Sequence, residues 1–445
     1  MKPKPFLSLL ADLQTNDIVP KLVRARAITP SPGGKYRHWD VLRRLTPPTD
    51  LTHEEWWTGI KLARGSILKP LPLLDIRGAP FYYAMPDEVL ALVHEIDRDA
   101  SGRIEISEQV TNPATRDRYI IDSLIEEAIT SSQLEGASTT RRVAEQMIRS
   151  GRKPKDRSER MILNNFEAMR FLRSFTKERL TPERVLDLHR IVTKESLDEP
   201  DAAGRLRTSK DDDIHVGDEL GQVLHVPPPY SELPERLEQM CAFANAEAGS
   251  GFIHPVLRAI ILHFWLAYDH PFVDGNGRTA RALFYWSMLQ QGYWLCEYIS
   301  ISSILRAAPS KYARAFLYTE TDDNDVTYFV LYQLAVIRRA IARLHTYLRE
   351  TIDEIRQTER LLRQSAGFNH RQLALLSHAL KHPDAVYTIE THRKSHGVVY
   401  QTARTDLFGL VRRGLLNQKK LRRAYFFFVP DDLMERLKSR DAAMT

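Results

Sequence analysis

The sequence predicts a mostly α-helical fold, with one short β-hairpin set among the helices and a small mixed α/β unit at the C-terminal end. Three observations carry this. Apolar residues recur at helical spacing from Met85 to about Glu359. The rhythm breaks between Gly204 and Pro229, where Ile214-His215-Val216 and Val223-Leu224-His225-Val226 flank the turn Gly217 to Gln222, the pattern of two short strands. From Asn369 helical stretches alternate with short β-prone ones. At 445 residues the chain has room for two or three domains.

Residues 1–84 form an N-terminal segment to which no chemistry is assigned. Thr29 to Gly34 is a loop, and Tyr36 to Leu45 suits a short strand or helix. Leu51-Thr52-His53-Glu54-Glu55-Trp56-Trp57 has the form of a capped helix start, its paired tryptophans belonging to a core or an interface. Pro86-Asp87 opens a helix through Leu90, Val93 and Ile96. The next spans Arg116 to Leu134, with Tyr119, Ile120, Leu124 and Ile125 on its apolar side and Gly136 as its stop. A third starts at Thr139/Thr140, and Asn164 to Phe175 is a fourth apolar stripe. Thr181-Pro182-Glu183 places an N-cap before a first-turn proline and opens a helix through Leu188 and Ile191. Helices resume at Ser231.

Among them, Leu257 to Tyr268 and Ala282 to Leu289 read as two buried helices, and the bend between them is chemically dense: His270-Pro271-Phe272-Val273-Asp274-Gly275-Asn276-Gly277-Arg278-Thr279-Ala280-Arg281. Gly275 and Gly277 let the backbone turn tightly and approach a ligand, and the N–H groups opening the following helix point at negative charge. Arg278 and Arg281, three apart on roughly one face, can clamp a polyphosphate. Asp274 can hold a divalent cation bridging phosphates. His270, ending the preceding helix, is placed to take a proton from a hydroxyl.

The string resembles the Fic-domain signature, His-x-Phe-x-(Asp/Glu)-Gly-Asn-Gly-Arg-x-x-Arg, at every specified position. The resemblance implies a Fic-type helical core that transfers AMP from ATP to a Ser, Thr or Tyr hydroxyl of a target protein, which can be the chain itself. It implies His270 as general base, Asp274 as the Mg²⁺ ligand, Gly275, Asn276 and Gly277 as the anion hole, Arg278 as a phosphate contact, Arg281 as the γ-phosphate clamp and Phe272 as a core anchor. Relatives that phosphorylate their targets carry Lys at the position of Gly277, which argues against that chemistry here. The hairpin within residues 205–229 resembles the Fic flap that holds a target segment by main-chain pairing. Ser131-x-x-x-Glu135-Gly136 resembles the inhibitory helix motif of some Fic proteins, which makes 116–136 an inhibitory helix and Ser131 and Glu135 its working residues.

Residues 85–345 are therefore expected to be the Fic core and 346–368 a helical linker. Residues 369–445 resemble a winged helix-turn-helix: a helix at Arg371 to Leu380, a strand at Tyr387-Thr388-Ile389, a two-helix unit from Ser395 to Gly414 with Gln401 to Arg413 as recognition helix, and wing strands at Leu415-Leu416 and Ala424 to Val429. Residues 338–445 hold 21 Lys/Arg against 11 Asp/Glu, so the net charge of +6 sits on this end. DNA or an acidic protein is the partner such a module would take. Cys241 and Cys296 suit buried thiols in a reducing compartment, and with no signal-peptide pattern and no membrane-spanning run a cytoplasmic protein, capable of forming a homodimer, is expected. The contrasting reading is a DNA-binding regulator whose core senses nucleotide; an enzyme that also removes AMP is a third.

Overall fold

A computed structural model describes residues 3–442 apart from 5, 7, 10, 12–17, 101–112, 212–213, 218–220, 248–250, 365–366 and 422–423. The expected turn residues Asp218 to Leu220 and the side chain of Tyr119 lie outside what is described. The chain divides into two compact units, residues 1–104 with 123–341, and 105–122 with 342–445.

In the first unit Thr52 caps α1 (His53–Gly65) through a capping box, its hydroxyl accepting from the Glu55 N–H at 3.1 Å while the Glu55 carboxylate accepts from the Thr52 N–H at 2.6 Å. Trp56 and Trp57 are buried in the N-terminal cluster. A hairpin follows that the sequence reading does not anticipate, β1 (Lys69–Leu74) against β2 (Pro80–Tyr83). Two prolines in β1 mask its strand pattern; they survive because a two-stranded sheet is all edge.

The helices then run α2 (Asp87–Ala100), α3 (Pro113–Leu134), α4 (Arg141–Ser150), α5 (Arg157–Ser174) and α6 (Pro182–Thr193). α5 begins a full two turns before the predicted stripe, because Asp156 accepts from the Glu159 N–H and starts it. The hairpin β3 (Val216–Gly217) and β4 (Val223–His225) is antiparallel but shorter than expected. α7 (Leu233–Ala244) leads to α8 (Pro255–Asp269) and α9 (Asn276–Gln290), the most extensively packed pair of helices. Both are buried nearly all round and carry fully buried Trp265 and Trp286, as central helices of a core must; α8 is apolar along most of its length, whereas α9 also buries Arg278, Thr279, Arg281 and Ser287. α10 (Pro309–Thr321) and the long α11 (Thr327–Gln364) complete the series.

The second unit contains α12 (His370–Lys381), β5 (Val386–Thr388), α13 (Ile389–His396), α14 (Tyr400–Arg412), β6 (Asn417–Leu421), β7 (Ala424–Phe428) and α15 (Leu433–Ala442). Its three strands form an antiparallel sheet in the order β5-β7-β6. Two boundaries differ from expectation. Ile389 belongs to α13, which Thr388 caps by accepting from the Thr391 N–H, so the first helix of the pair follows the strand directly. Leu415 and Leu416 are fully buried core residues, and the strand starts only at Asn417. Among the described residues no helix is long and apolar enough to cross a membrane.

Candidate active site

The turn between α8 and α9 is built by its own side chains. α8 ends at His270, whose N–H donates to the Leu266 carbonyl at 3.0 Å. His270 stands in the left-handed region (φ 44°, ψ 54°), a conformation that costs a non-glycine residue about 1–2 kcal/mol and persists where the surroundings impose it. Asn276 locks the bend internally: its Oδ1 accepts from the Phe272 N–H at 2.9 Å and its Nδ2 donates to the Phe272 carbonyl at 2.7 Å. The Asn276 side chain is thus committed to the loop, and what it offers an anion is its backbone at the start of α9.

Phe272 is fully buried and stacks on His189 of α6, with ring centroids 3.7 Å apart and planes within 6°. His189 receives the Gly204 N–H on Nδ1 at 2.9 Å and donates from Nε2 to the Asp274 carbonyl at 2.8 Å, so the ring is neutral. Burial holds its pKa down to about 4. Gly275 (φ 86°) leaves no room for a side chain, since a Cβ there would lie 2.7 Å from Thr193 Cγ2. Gly275→Ala is expected to cost at least the ~1–2 kcal/mol of the left-handed backbone and to lower the thermal midpoint; an unchanged midpoint would mean that α6 yields to the loop.

The two arginines of the turn part company. Arg278 is fully buried, its Nη1 donating to the Val192 carbonyl at 3.1 Å and its Nη2 reaching Asp274 at 3.3 Å. Three residues leave two side chains about 60° apart around a helix, enough here to keep Arg278 out of the cavity that Arg281 lines. Arg281 Nε donates to Ser131 Oγ at 2.8 Å, and Nη2 donates to the Ser131 carbonyl at 3.0 Å and to Glu135 Oε1 at 2.8 Å. The Glu135 carboxylate lies so close over Gly277 that a Cβ there would clash with its Oε1. Ser131, Glu135 and Arg281 therefore form one hydrogen-bonded set at the mouth of the turn. α3 is pinned at its middle as well, where buried Glu127 accepts from the Tyr285 hydroxyl, the Ser300 hydroxyl and the Ser302 N–H at 2.9, 2.8 and 3.1 Å.

A cavity of about 240 Å³ opens over this set, walled by His270, Asn276 and Gly277 from the turn, Glu135 and Arg281, and by Tyr312 and Phe316 of α10. His225 of β4 closes another side. His270 has its pKa held down to about 4, first by desolvation and then by the neighbouring His225, so at neutral pH it is an uncharged acceptor. A neutral imidazole keeps one of its two ring nitrogens as an acceptor. Asp274 is 36% exposed at the rim, its carboxylate between Arg278 and Arg157, the latter at 3.6 Å. Among the described residues no group of three His, Cys, Asp or Glu forms a metal cluster; a lone rim carboxylate suits Mg²⁺, which binds through one or two carboxylates plus substrate phosphates.

Sequence reasoning brought forward His270, Asp274, Gly275, Asn276, Gly277, Arg278, Arg281, Ser131 and Glu135; the fold gathers them at the turn, with Arg278 buried beneath it and outside the cavity lining. It missed His189, His225 and Tyr312, which lie in three different elements with no motif spacing to join them.

Residues 179–288 match the model of the Fic/DOC family. The protein adenylyltransferase fic-1 of Caenorhabditis elegans is 28% identical over 225 residues, 50% of this chain and 41% of that protein. The protein adenylyltransferase Fic of Drosophila virilis is 28% identical over 198 residues, 44% of this chain and 38% of that protein. The chain thus spans less than half the length of these curated relatives. A crystal structure of a Fic family protein from Desulfovibrio desulfuricans G20 superposes with a TM-score of 0.51 at 19% identity, covering 78% of this chain and 98% of that one, which is a likeness of fold. The helical core, the turn with its full signature and the matched segment agree: residues 179–288 carry a Fic domain of the Fic/DOC family.

Proposed function

We propose that this chain is a protein adenylyltransferase that moves AMP from ATP to a hydroxyl side chain of a target protein, and that Glu135 holds it off. The observation that carries the reading is the convergence of a neutral His270, the open N-terminus of α9 and Arg281 on one cavity, with a carboxylate standing where an anion would bind. Residues 85–345 are then the Fic core, with inhibitory helix 116–136 and flap 205–229; 346–368 is the linker and 369–445 a winged helix module.

In this reading the target hydroxyl oxygen attacks the α-phosphorus, His270 accepts the hydroxyl proton, and pyrophosphate leaves. Backbone N–H groups from Gly275 to Gly277 receive the phosphates, whose charge they and the start of α9 stabilise. Arg281 clamps the γ-phosphate once Glu135 releases it. Asp274 would hold Mg²⁺, which supplies charge neutralisation between phosphates. Arg278, buried under the turn, acts by orienting Asp274. Incubation with Mg²⁺ and ATP labelled at the α- or the γ-phosphate tests the reading: covalent label from the α-position alone is expected on a target or on the chain. Label from the γ-position would indicate phosphorylation, and no label from either, with Glu135 removed, would favour a nucleotide sensor.

The second unit supports a second partner. β6 is exposed along its whole length and carries Lys419 and Lys420, and Arg404 and Arg412 are exposed on α14. DNA is the ligand this basic face fits, with α14 as recognition helix. Binding by the full chain is expected to fall steeply with salt and to weaken in Lys419→Ala/Lys420→Ala, each phosphate contact contributing about 0.9 to the slope of log K against log salt. Absence of DNA binding at low salt would leave a protein as the partner.

A further inference from the structure

The flap segment is tied to the backbone that carries His270. Arg207, on the chain entering the flap, is 3% exposed. Its Nε donates to the His270 carbonyl at 2.8 Å and its Nη2 to the Pro228 carbonyl at 2.8 Å, while its backbone N–H donates to the Pro271 carbonyl at 2.9 Å. His225, at the end of β4, adds a third hold: Nε2 donates to the Tyr268 carbonyl at 2.7 Å, and Nδ1 meets Glu320 of α10 at 2.9 Å. The carbonyls of residues 268, 270 and 271 are therefore all held from the flap side. These are the residues around the one non-glycine left-handed position in the turn.

We propose that Arg207 is a positioning residue for AMP transfer: its forked guanidinium, bonded at once to the His270 carbonyl and to the far end of the flap at Pro228, fixes the backbone of the base and registers it against the segment that receives the target. This rests on the reading of His270 as the base. Arg207 does not line the cavity, so it acts through His270. The role needs a planar fork. Two carbonyls approached from one rigid group fit guanidinium, whereas a lysine ammonium on a flexible stem can keep the charge but hold only one of the two in register. His189 continues the same tie on the other side of the turn, joining Gly204 at the flap's entrance to Asp274.

The test uses the full chain with Glu135→Gly as parent, Mg²⁺ and ATP, self-modification as the measured transfer, and an ATP analogue with a non-hydrolysable α,β-bridge for binding. Arg207→Ala is expected to lower kcat by about 10²-fold, the cost of a reacting group displaced by about 1 Å, with KM for ATP and analogue affinity within about twofold of the parent. Arg207→Lys, which keeps charge and bulk, should recover part of the rate. The double variant Arg207→Ala/His270→Ala should be no slower than His270→Ala alone, because two residues acting through one step are not additive. A parent rate in Arg207→Ala, multiplicative losses in the double variant, or an equal loss of analogue affinity in both Arg207 variants would each overturn the proposal. A parent that transfers no AMP, or transfers it without need of His270, would instead overturn the functional reading on which this rests, and the proposal with it.

Discussion

Replacing Glu135 with glycine is expected to raise AMP transfer, self-modification included, by roughly tenfold to a hundredfold. The size follows from the contact removed. A hydrogen bond to a charged partner contributes about 1.5–3 kcal/mol, and each 1.4 kcal/mol is a factor of ten. Arg281 is 1% exposed and Glu135 27%, so their 2.8 Å pair is shielded from water on the arginine side and weakened little by solvent screening. While the pair holds, the guanidinium proposed to clamp the γ-phosphate is occupied, and the carboxylate repels an anion arriving over Gly277. Glu127 anchors the middle of α3, so release is expected by motion of Glu135 and the end of the helix, with the rest of α3 in place. Arg281→Ala should not activate, because the clamp is lost along with the lock, and Glu135→Gly/Arg281→Ala should behave like Arg281→Ala. Transfer by Glu135→Gly no faster than by the unaltered chain, with Mg²⁺ and ATP present, would reduce Ser131 to Gly136 to an ordinary helix end.

His270→Ala carries the other large effect: a loss of transfer of about 10²–10⁴-fold, the range for a positioned general base, measured in the Glu135→Gly background where the rate is high. ATP affinity should hardly change, since the proposed phosphate contacts come from the start of α9 and from Arg281. The pH profile adds a check. With its pKa held near 4, His270 is competent through the neutral range, and transfer should decline only as the pH falls towards about 4 and the ring takes up a proton. A mutant that keeps the parent rate would remove His270 from the mechanism.

Most of the architecture was legible in local pattern. The apolar stripes announced α8 and α9 as central helices, Thr52 and Thr181 announced their helix starts, and the Gly and Pro punctuation bounded the hairpin of β3 and β4. These signals are short-ranged, and helix propensity, capping and glycine freedom act over a few residues. Where a boundary failed, a nearby cap or a demand of the core had the last word. Asp156 starts α5 early, and Leu415 and Leu416 are drawn into the core of the second unit in place of a strand. The hairpin of β1 and β2 was hidden by its prolines.

The sequence alone determined which residues stand together in the turn from His270 to Arg281, because they fall within one bend whose tight course two glycines permit. It also determined that Ser131 and Glu135 share a helix face, since a spacing of four enforces it. Only the tertiary structure decided what those faces meet. It brought Glu135 to Arg281 from 146 positions away, turned Arg278 beneath the turn and Arg281 into the cavity, and set Arg207, His225 and His189 around His270 and its loop. Such contacts arise when separate elements pack around a shared core. No local pattern encodes them, because the residues on either side of each contact are chosen by distant neighbours.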